Sequence, residues 1–247
     1  MSQQTIVAFE LYGTLLSPSS LIEELSKHVP NASKVARAWR VRQLEYTWRL
    51  SSKECYVPFN EIIRNALIHT LDEMGYGIRQ PDLKKILSAY DHMPTFEDVD
   101  QTLDQLAEIE NLAPIIFTDE TEERVSKSVL QPVLHAPPMS RQTPKLKEVI
   151  YVDGLLKYKP AAEVYDHLAR RVGKSPLRRK EIWIVSSEPA DIVGALHAGM
   201  KAIWVDRDKK GWKDRAAPHL HPFYTVASLE GIIVPLQLAA SSQGRYD

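Results

Sequence analysis

Thr5-Ile6-Val7-Ala8-Phe9-Glu10-Leu11-Tyr12-Gly13-Thr14-Leu15 is the stretch that decides the fold. Its first five residues form a short, nearly continuous apolar run. That suits a strand buried on both faces of a parallel sheet better than a helix. The run ends abruptly in a carboxylate and a glycine-containing turn. The same kind of run recurs at Ala113–Phe117, Val149–Val152, Ile182–Val185 and Ala202–Val205. Between the runs lie Asp98–Glu108, Thr121–Leu130, Ala161–Val172 and Ala190–Gly199, all with helical spacing of apolar residues. Alternation of this kind predicts an α/β fold with a doubly wound parallel sheet and right-handed crossovers.

One stretch breaks the alternation. From Ser19 to Tyr90 no strand is legible, and apolar residues recur at helical spacing: Leu21 and Leu25, then Val35 to Trp48, then Ile62 to Met74, then Leu83 to Tyr90. The simplest topology is a helical cap inserted after the first strand, with Pro94 marking the return. The expected division is an α/β core over 1–16 and 95–247 and a helical cap over 17–94. Trp39 and Trp48 are expected in the core of the cap, and His135–Ser140 in a surface loop. From Ser241 onward the tail is expected to fray.

Composition removes several classes of function. The 247 residues carry a formal net charge of −1, so nothing suggests a nucleic-acid partner. The densest basic run, Arg178-Arg179-Lys180, reads as a solvated segment before a strand. No apolar stretch approaches the roughly 20 residues of a spanning helix, and the start lacks the pattern of a signal peptide. Cys55 is the single cysteine, which excludes an internal disulfide and fits a reducing, cytoplasmic setting. No histidine, including the His219 and His221 pair, shows metal-ligand spacing.

In an open parallel sheet, ligands bind beyond the carboxyl ends of the strands. Those ends deliver Glu10 and Tyr12 to Thr14 from the first run, Thr118 and Asp119 from the second, Lys159 beyond the third, and Ser186, Glu188 and Asp191 from the fourth. A carboxylate beside a lysine in a closed cleft can serve as nucleophile or as acid and base. Helix capping or turn formation accounts equally well for any one of these residues alone. It is their joint occurrence that points to a site.

The chain also resembles the 2-haloacid dehalogenases of the haloacid dehalogenase superfamily. Phe9–Leu15 is similar to their F-D-x-Y-G-T-L, Lys159-Pro160 with Tyr165 to K-P-x-x-x-x-Y, and Val185–Asp191 to V-S-S-N-x-x-D. Ile116–Asp119 sits where they have a strand ending in Ser-Asn. Trp39-Arg40 with Gln43–Trp48 resembles W-R-x-x-Q-L-E-Y-T-W, and Tyr56, Val57 and Phe59 also fit. The likeness covers nearly the whole chain apart from a loop around residues 133 to 148. It implies a Rossmannoid core with a cap and hydrolysis of a small 2-substituted carboxylic acid without a cofactor, and it admits a homodimer. The carboxylate at 10 would attack C2 and expel halide, and water would cleave the resulting ester. Arg40 would steer the halide or the substrate anion. Thr14, Thr118, Lys159 and Tyr165 would hold carboxylates in place. Ser186, Asp191 and the residue at 188 would organise the water, and Leu44 and Phe59 would line the apolar wall.

The sequence departs from this pattern at telling positions. Glu10 replaces an aspartate, and the added methylene moves the carboxylate by about 1.5 Å, where misplacement near 1 Å costs roughly a hundredfold in rate. Asp119 and Glu188 replace asparagines, so a donor beside the halide becomes an acceptor. Thr118 replaces a serine, and Ala190 an aromatic. These changes disfavour efficient dehalogenation and leave three outcomes open: a dehalogenase-type hydrolase; a repurposed enzyme with Glu10 as general acid or base, as in secondary-metabolite biosynthesis; or a non-catalytic binding protein. A magnesium site from Glu10, Glu188 and Asp191 is the minor alternative, since hard cations favour carboxylates.

Overall fold

The computed structural model describes residues 4–125 and 146–243. Within them, six parallel strands form one sheet in the order β3-β2-β1-β4-β5-β6. Strand β1 (Thr5–Phe9) lies between β2 (Leu112–Thr118) and β4 (Ile182–Ser186). β3 (Val149–Tyr151) forms one edge, and β5 (Lys201–Val205) and β6 (Tyr224–Val226) continue to the other. The chain winds outward from β1 to β3, then returns to the far side of β1 for β4. That reversal opens a crevice at the carboxyl ends of β1 and β4, the place such sheets offer to ligands.

Every residue of β1, β2 and β4 is buried, which explains their unbroken apolar runs. Successive side chains enter different cores, as the pleat requires. Val7, Phe9, Ile116, Trp183 and Val185 join one core with Val99, Leu103 and Leu106 of the helix before β2. Ile6, Ala8, Ile115, Phe117 and Ile184 pack against the helices between β3 and β5. The five expected strands are present. β6 was not anticipated: its three residues face largely outward at the sheet edge, so no apolar run announces it.

Four helices separate Leu16 from Thr95: α1 (Ser19–Ser26), α2 (Ala32–Ser52), α3 (Phe59–Glu73) and α4 (Gln80–Asp91). At their base the two crossings run side by side. Leu16 bridges Thr95, and the Ser17 amide donates to the Pro94 carbonyl at 2.7 Å. Then follow α5 (Val99–Ala107), α6 (Ala162–Arg171), α7 (Pro189–His197) and α8 (Ile233–Gln243). A helical turn at Glu122–Arg124 opens the helix expected from Thr121 to Leu130; its remainder and the loop at His135–Ser140 lie outside the described residues.

Two expectations are corrected. Trp39 is fully buried, with its indole N–H on the Ile63 carbonyl at 2.8 Å, but Trp48 is 42% exposed. The buried stripe of α2 runs Val35, Trp39, Gln43, Thr47, and Trp48 lies roughly 100° round the helix from Thr47. Frayed chain was expected from Ser241, whereas α8 continues to Gln243. No described helix is long and apolar enough to cross a membrane.

Helices α6 and α7 touch through a glycine. A methyl group on Gly194 would stand 2.5 Å from the Tyr165 hydroxyl oxygen and 2.7 Å from ring carbons. Gly194→Ala therefore forces the Tyr165 ring aside and is expected to cost about 1–3 kcal/mol, the usual range for overpacking. Urea unfolding of the two proteins measures this, and equal midpoints would show that the ring yields freely.

Candidate active site

Glu10 is the first residue beyond β1, and its amide still donates to the Val185 carbonyl across the crevice at 3.1 Å. The residue is 7% exposed, and its side chain is turned back over its own loop. One carboxylate oxygen accepts from the Tyr12 amide at 2.8 Å, and the other from the Thr14 hydroxyl at 2.7 Å. Thr14 in turn accepts from the Ser187 amide at 2.8 Å, tying the loop after β1 to the loop after β4. Gly13 permits this close approach. It sits at φ +78°, and a Cβ there would come within 2.8 Å of the Ser187 hydroxyl oxygen.

Arg40 reaches this carboxylate from α2, with Nη2 3.6 Å from the Glu10 Oε1. Its guanidinium lies 5.8 Å from the centre of the Tyr12 ring, and Nη1 donates to Gln43 at 3.3 Å. Lys159, in the segment between β3 and α6, does not pair with Glu10. Its ammonium donates to the Phe117 carbonyl at 2.8 Å and to Asp191 at 3.1 Å. The second oxygen of Asp191 accepts from the Tyr165 hydroxyl at 2.8 Å. Lysine, aspartate and tyrosine are all buried, so each polar group finds the partner that burial demands.

Burial is the strongest influence on Glu10 and pushes its carboxyl up to about 7, despite the opposing pull of Arg40, Lys159 and the Thr14 hydroxyl. Burial likewise raises Asp119 and Glu188, against the nearby cations Lys159 and Arg40 respectively. Asp119 and Glu188 both face the Arg40 charge, as Glu10 does. The Asp119 carboxylate also accepts from the Lys159 amide at 3.1 Å.

The remaining expected residues divide. Thr118 and Ser186 are buried, but their hydroxyls accept from the amides two residues on, at Glu120 and Glu188, and so shape the strand-end turns. Tyr12 is buried with its hydroxyl committed to Glu120. Phe59 packs on Tyr12 with ring centres 6.3 Å apart. Leu44 lies one turn beyond Arg40 on α2, half-buried and outside the packed core. Sequence reasoning left out Glu120, Gln43 and Tyr90. The Tyr90 hydroxyl and Arg40 both donate to Gln43, and the Tyr90 ring centre is 5.0 Å from that of Tyr12. The Thr-Asp-Glu run at the end of β2 carried the signal for Glu120.

Glu10, Glu188 and Asp191 do not assemble the magnesium cage considered above. Asp191 is engaged by Lys159 and Tyr165, and Glu10 by Thr14 and Arg40. Among the described residues no group of three His, Cys, Asp or Glu side chains is arranged around a common metal position. A groove of about 870 Å³ between α5 and α8 lies apart from this rim, near Asn111 at the amino end of β2.

A buried carboxylate at the tip of a central parallel strand, facing a buried lysine–aspartate pair, places the chain among the hydrolase-like α/β enzymes. Residues 158–232 match the HAD-hydrolase-like family model. The chain is 28% identical to the haloacetate dehalogenase H-2 of Moraxella sp. (strain B), over 84% of this chain and 88% of that one. It is 26% identical to an (S)-2-haloacid dehalogenase of Pseudomonas sp. (strain YL), over 95% of each. A crystal structure of a dehalogenase with an intermediate complex superposes with a TM-score of 0.82 at 24% identity, covering 96% of this chain and 99% of that one. The chain is similar to the 2-haloacid dehalogenases of the haloacid dehalogenase superfamily, in sequence over most of its length and in fold.

The raised Glu10 carboxyl has a consequence for stability. Its folded value, about 7, exceeds its value in the unfolded chain, 4.5. Its neutral form therefore stabilises the fold fully below about 4.5, and that contribution disappears as pH rises through 7. Glu10→Gln lacks this ionisation. Its stability relative to the parent is expected to increase by roughly 3 kcal/mol between pH 4 and pH 9. Denaturant unfolding across that range measures the difference, and a pH-independent gap would place the Glu10 carboxyl in water.

Proposed function

We propose that this chain is a hydrolase of the 2-haloacid dehalogenase type that acts on a small 2-substituted carboxylic acid through the carboxylate of Glu10. The observation that carries the reading is the Glu10 side chain itself: buried, held by the Tyr12 amide and the Thr14 hydroxyl, and 3.6 Å from Arg40. The names of the relatives support the substrate class. In the first step a Glu10 oxygen bonds to C2, the carbon–halogen bond breaks, and halide leaves with the bonding pair. Arg40 is the cation placed to receive a halide or carboxylate. In the second step water adds to the ester carbonyl and its proton passes to a carboxylate of the site; the acyl C–O bond then breaks, the substrate oxygen takes up that proton and leaves as the 2-hydroxy acid, and Glu10 is returned. Asp191, oriented by Lys159 and Tyr165, is the group this reading assigns to the water, with Ser186 and Glu188 beside it. Tyr12, Leu44 and Phe59 form the apolar wall, and Thr118 and Asp119 shape the loop that meets Lys159. Residues 17–94 act as a cap over residues 1–16 and 95–247, in a cytoplasmic homodimer. No metal takes part.

A second reading rests on one specific observation. A carboxyl near 7 is well matched to general acid–base work at neutral pH. In that case Glu10 shuttles a proton in a repurposed enzyme and forms no ester.

Incubation with 2-haloalkanoates, with halide release and intact mass followed together, separates these. The first reading expects halide, a mass increase on Glu10 matching the ester, a rate that rises with pH through about 7, and no loss on dialysis against EDTA. Glu10→Gln is inert, and Glu10→Asp, which restores the shorter reach, is expected to be faster by about a hundredfold. Turnover without any adduct, abolished by Glu10→Gln, transfers the assignment to the acid–base reading. Absence of turnover of any 2-substituted acid defeats both and leaves a binding protein.

A further inference from the structure

Glu120 is the most deeply buried carboxylate on this rim, at 0% exposed, and the proposed chemistry gives it no part. One of its oxygens accepts the Tyr12 phenol. The other makes no hydrogen bond and stands 3.5 Å from the Arg124 Nε. Arg124 also holds Asp91 at the end of α4 and lies 5.9 Å from the Tyr90 ring centre. A buried ion pair with an unsatisfied oxygen is a poor way to stabilise a fold, because desolvation cancels much of the attraction. What this pair does accomplish is geometric. It fixes the Tyr12 ring, and that ring is one support of the Arg40 guanidinium. The other support is Gln43, shared with Tyr90.

We propose that Glu120 is a positioning residue: by holding the Tyr12 hydroxyl away from the pocket and tying Arg124 to α4, it sets the place of Arg40 opposite Glu10. The inference rests on the site proposed above but not on any particular substrate. Arg40 is the largest influence lowering the Glu10 carboxyl. The other charges facing Glu10 are Lys159 and Asp191; those facing Arg40 include Glu188 and Asp119. Of these, Asp119 is the chain neighbour of Glu120 and faces its charge as well. Loosening Tyr12 reaches Glu10 through Arg40 and through the Tyr12 amide, both of which favour the ion, and so raises its carboxyl further.

The test is a titration of the Glu10 carboxyl by infrared difference spectroscopy, each protein measured against its own Glu10→Gln counterpart. It needs no turnover and so holds whichever reading of the chemistry is correct. The parent is expected to titrate near 7. Glu120→Ala and Tyr12→Phe are each expected to move the midpoint upward by about one unit, the scale of a weakened neighbouring charge. Glu120→Gln, which still accepts the phenol, is expected to restore most of the parent value. If Glu120→Ala fails to fold, Tyr12→Phe carries the test alone. Unmoved midpoints in the folded variants, with only thermal stability lowered, would overturn the proposal and make Glu120 a purely structural acid.

Discussion

Glu10 stands where the central strand of the sheet runs out, and the protein has stripped its carboxylate of water. Everything else on the rim answers that cost. Two neutral donors, the Tyr12 amide and the Thr14 hydroxyl, replace part of the lost hydration. A cation arrives from α2, at a distance that attracts without closing a hydrogen bond. The balance does not fully favour the ion, and the carboxyl remains poised near 7. A solvated glutamate at the same loop would be ionised throughout the neutral range. The combination of a switch point in the sheet, a glycine that lets two loops touch and a helix descending over them is what makes the group adjustable.

Lys159 meets the complementary requirement on the other side of the crevice. An ammonium beside Glu10 would neutralise it; here the ammonium is spent on the Phe117 carbonyl and on Asp191. Three elements, β2, the segment before α6, and α7, are thereby joined by one charge. Tyr165 completes the arrangement from α6, close enough to α7 that only glycine fits at 194. Glu10 and Asp191 are thus held by different partners, the first by two neutral donors and a guanidinium, the second by an ammonium and a phenol.

The architecture was legible because both faces of the sheet are buried. Continuous apolar runs such as Thr5–Phe9 and Ile182–Val185 have few other homes, and the turn residues that follow them fall at the rim. β6 was invisible because an exposed three-residue edge strand has no hydrophobic signature. Trp48 misled because an aromatic at helical spacing reads as core, whereas α2 buries the polar pair Gln43 and Thr47 instead. At the site, residue types and strand ends brought Glu10, Lys159 and Asp191 into one neighbourhood, but pairing is a matter of ångströms that sequence does not encode. It left unspecified that Lys159 chooses Asp191 over Glu10. It also gave Thr118 and Ser186 a supporting part, while their hydroxyls serve the turns. Glu120 was passed over because a second acid beside Asp119 looks like surface charge until the fold encloses it.

The acids at 10, 119 and 188 share one guanidinium. Under the proposed function, an anionic substrate entering the pocket displaces some of that attraction or finds one of the acids protonated. Burial has already raised all three, so a proton taken up on binding is the least costly way to admit a second negative charge. Substrate charge and the protonation of the rim are in this sense one equilibrium. The substitution of acids for amides at 119 and 188 does not merely repel anions. Under the proposed function it adds two burial-raised acids to Glu10 as places where a proton can be taken up when an anion enters.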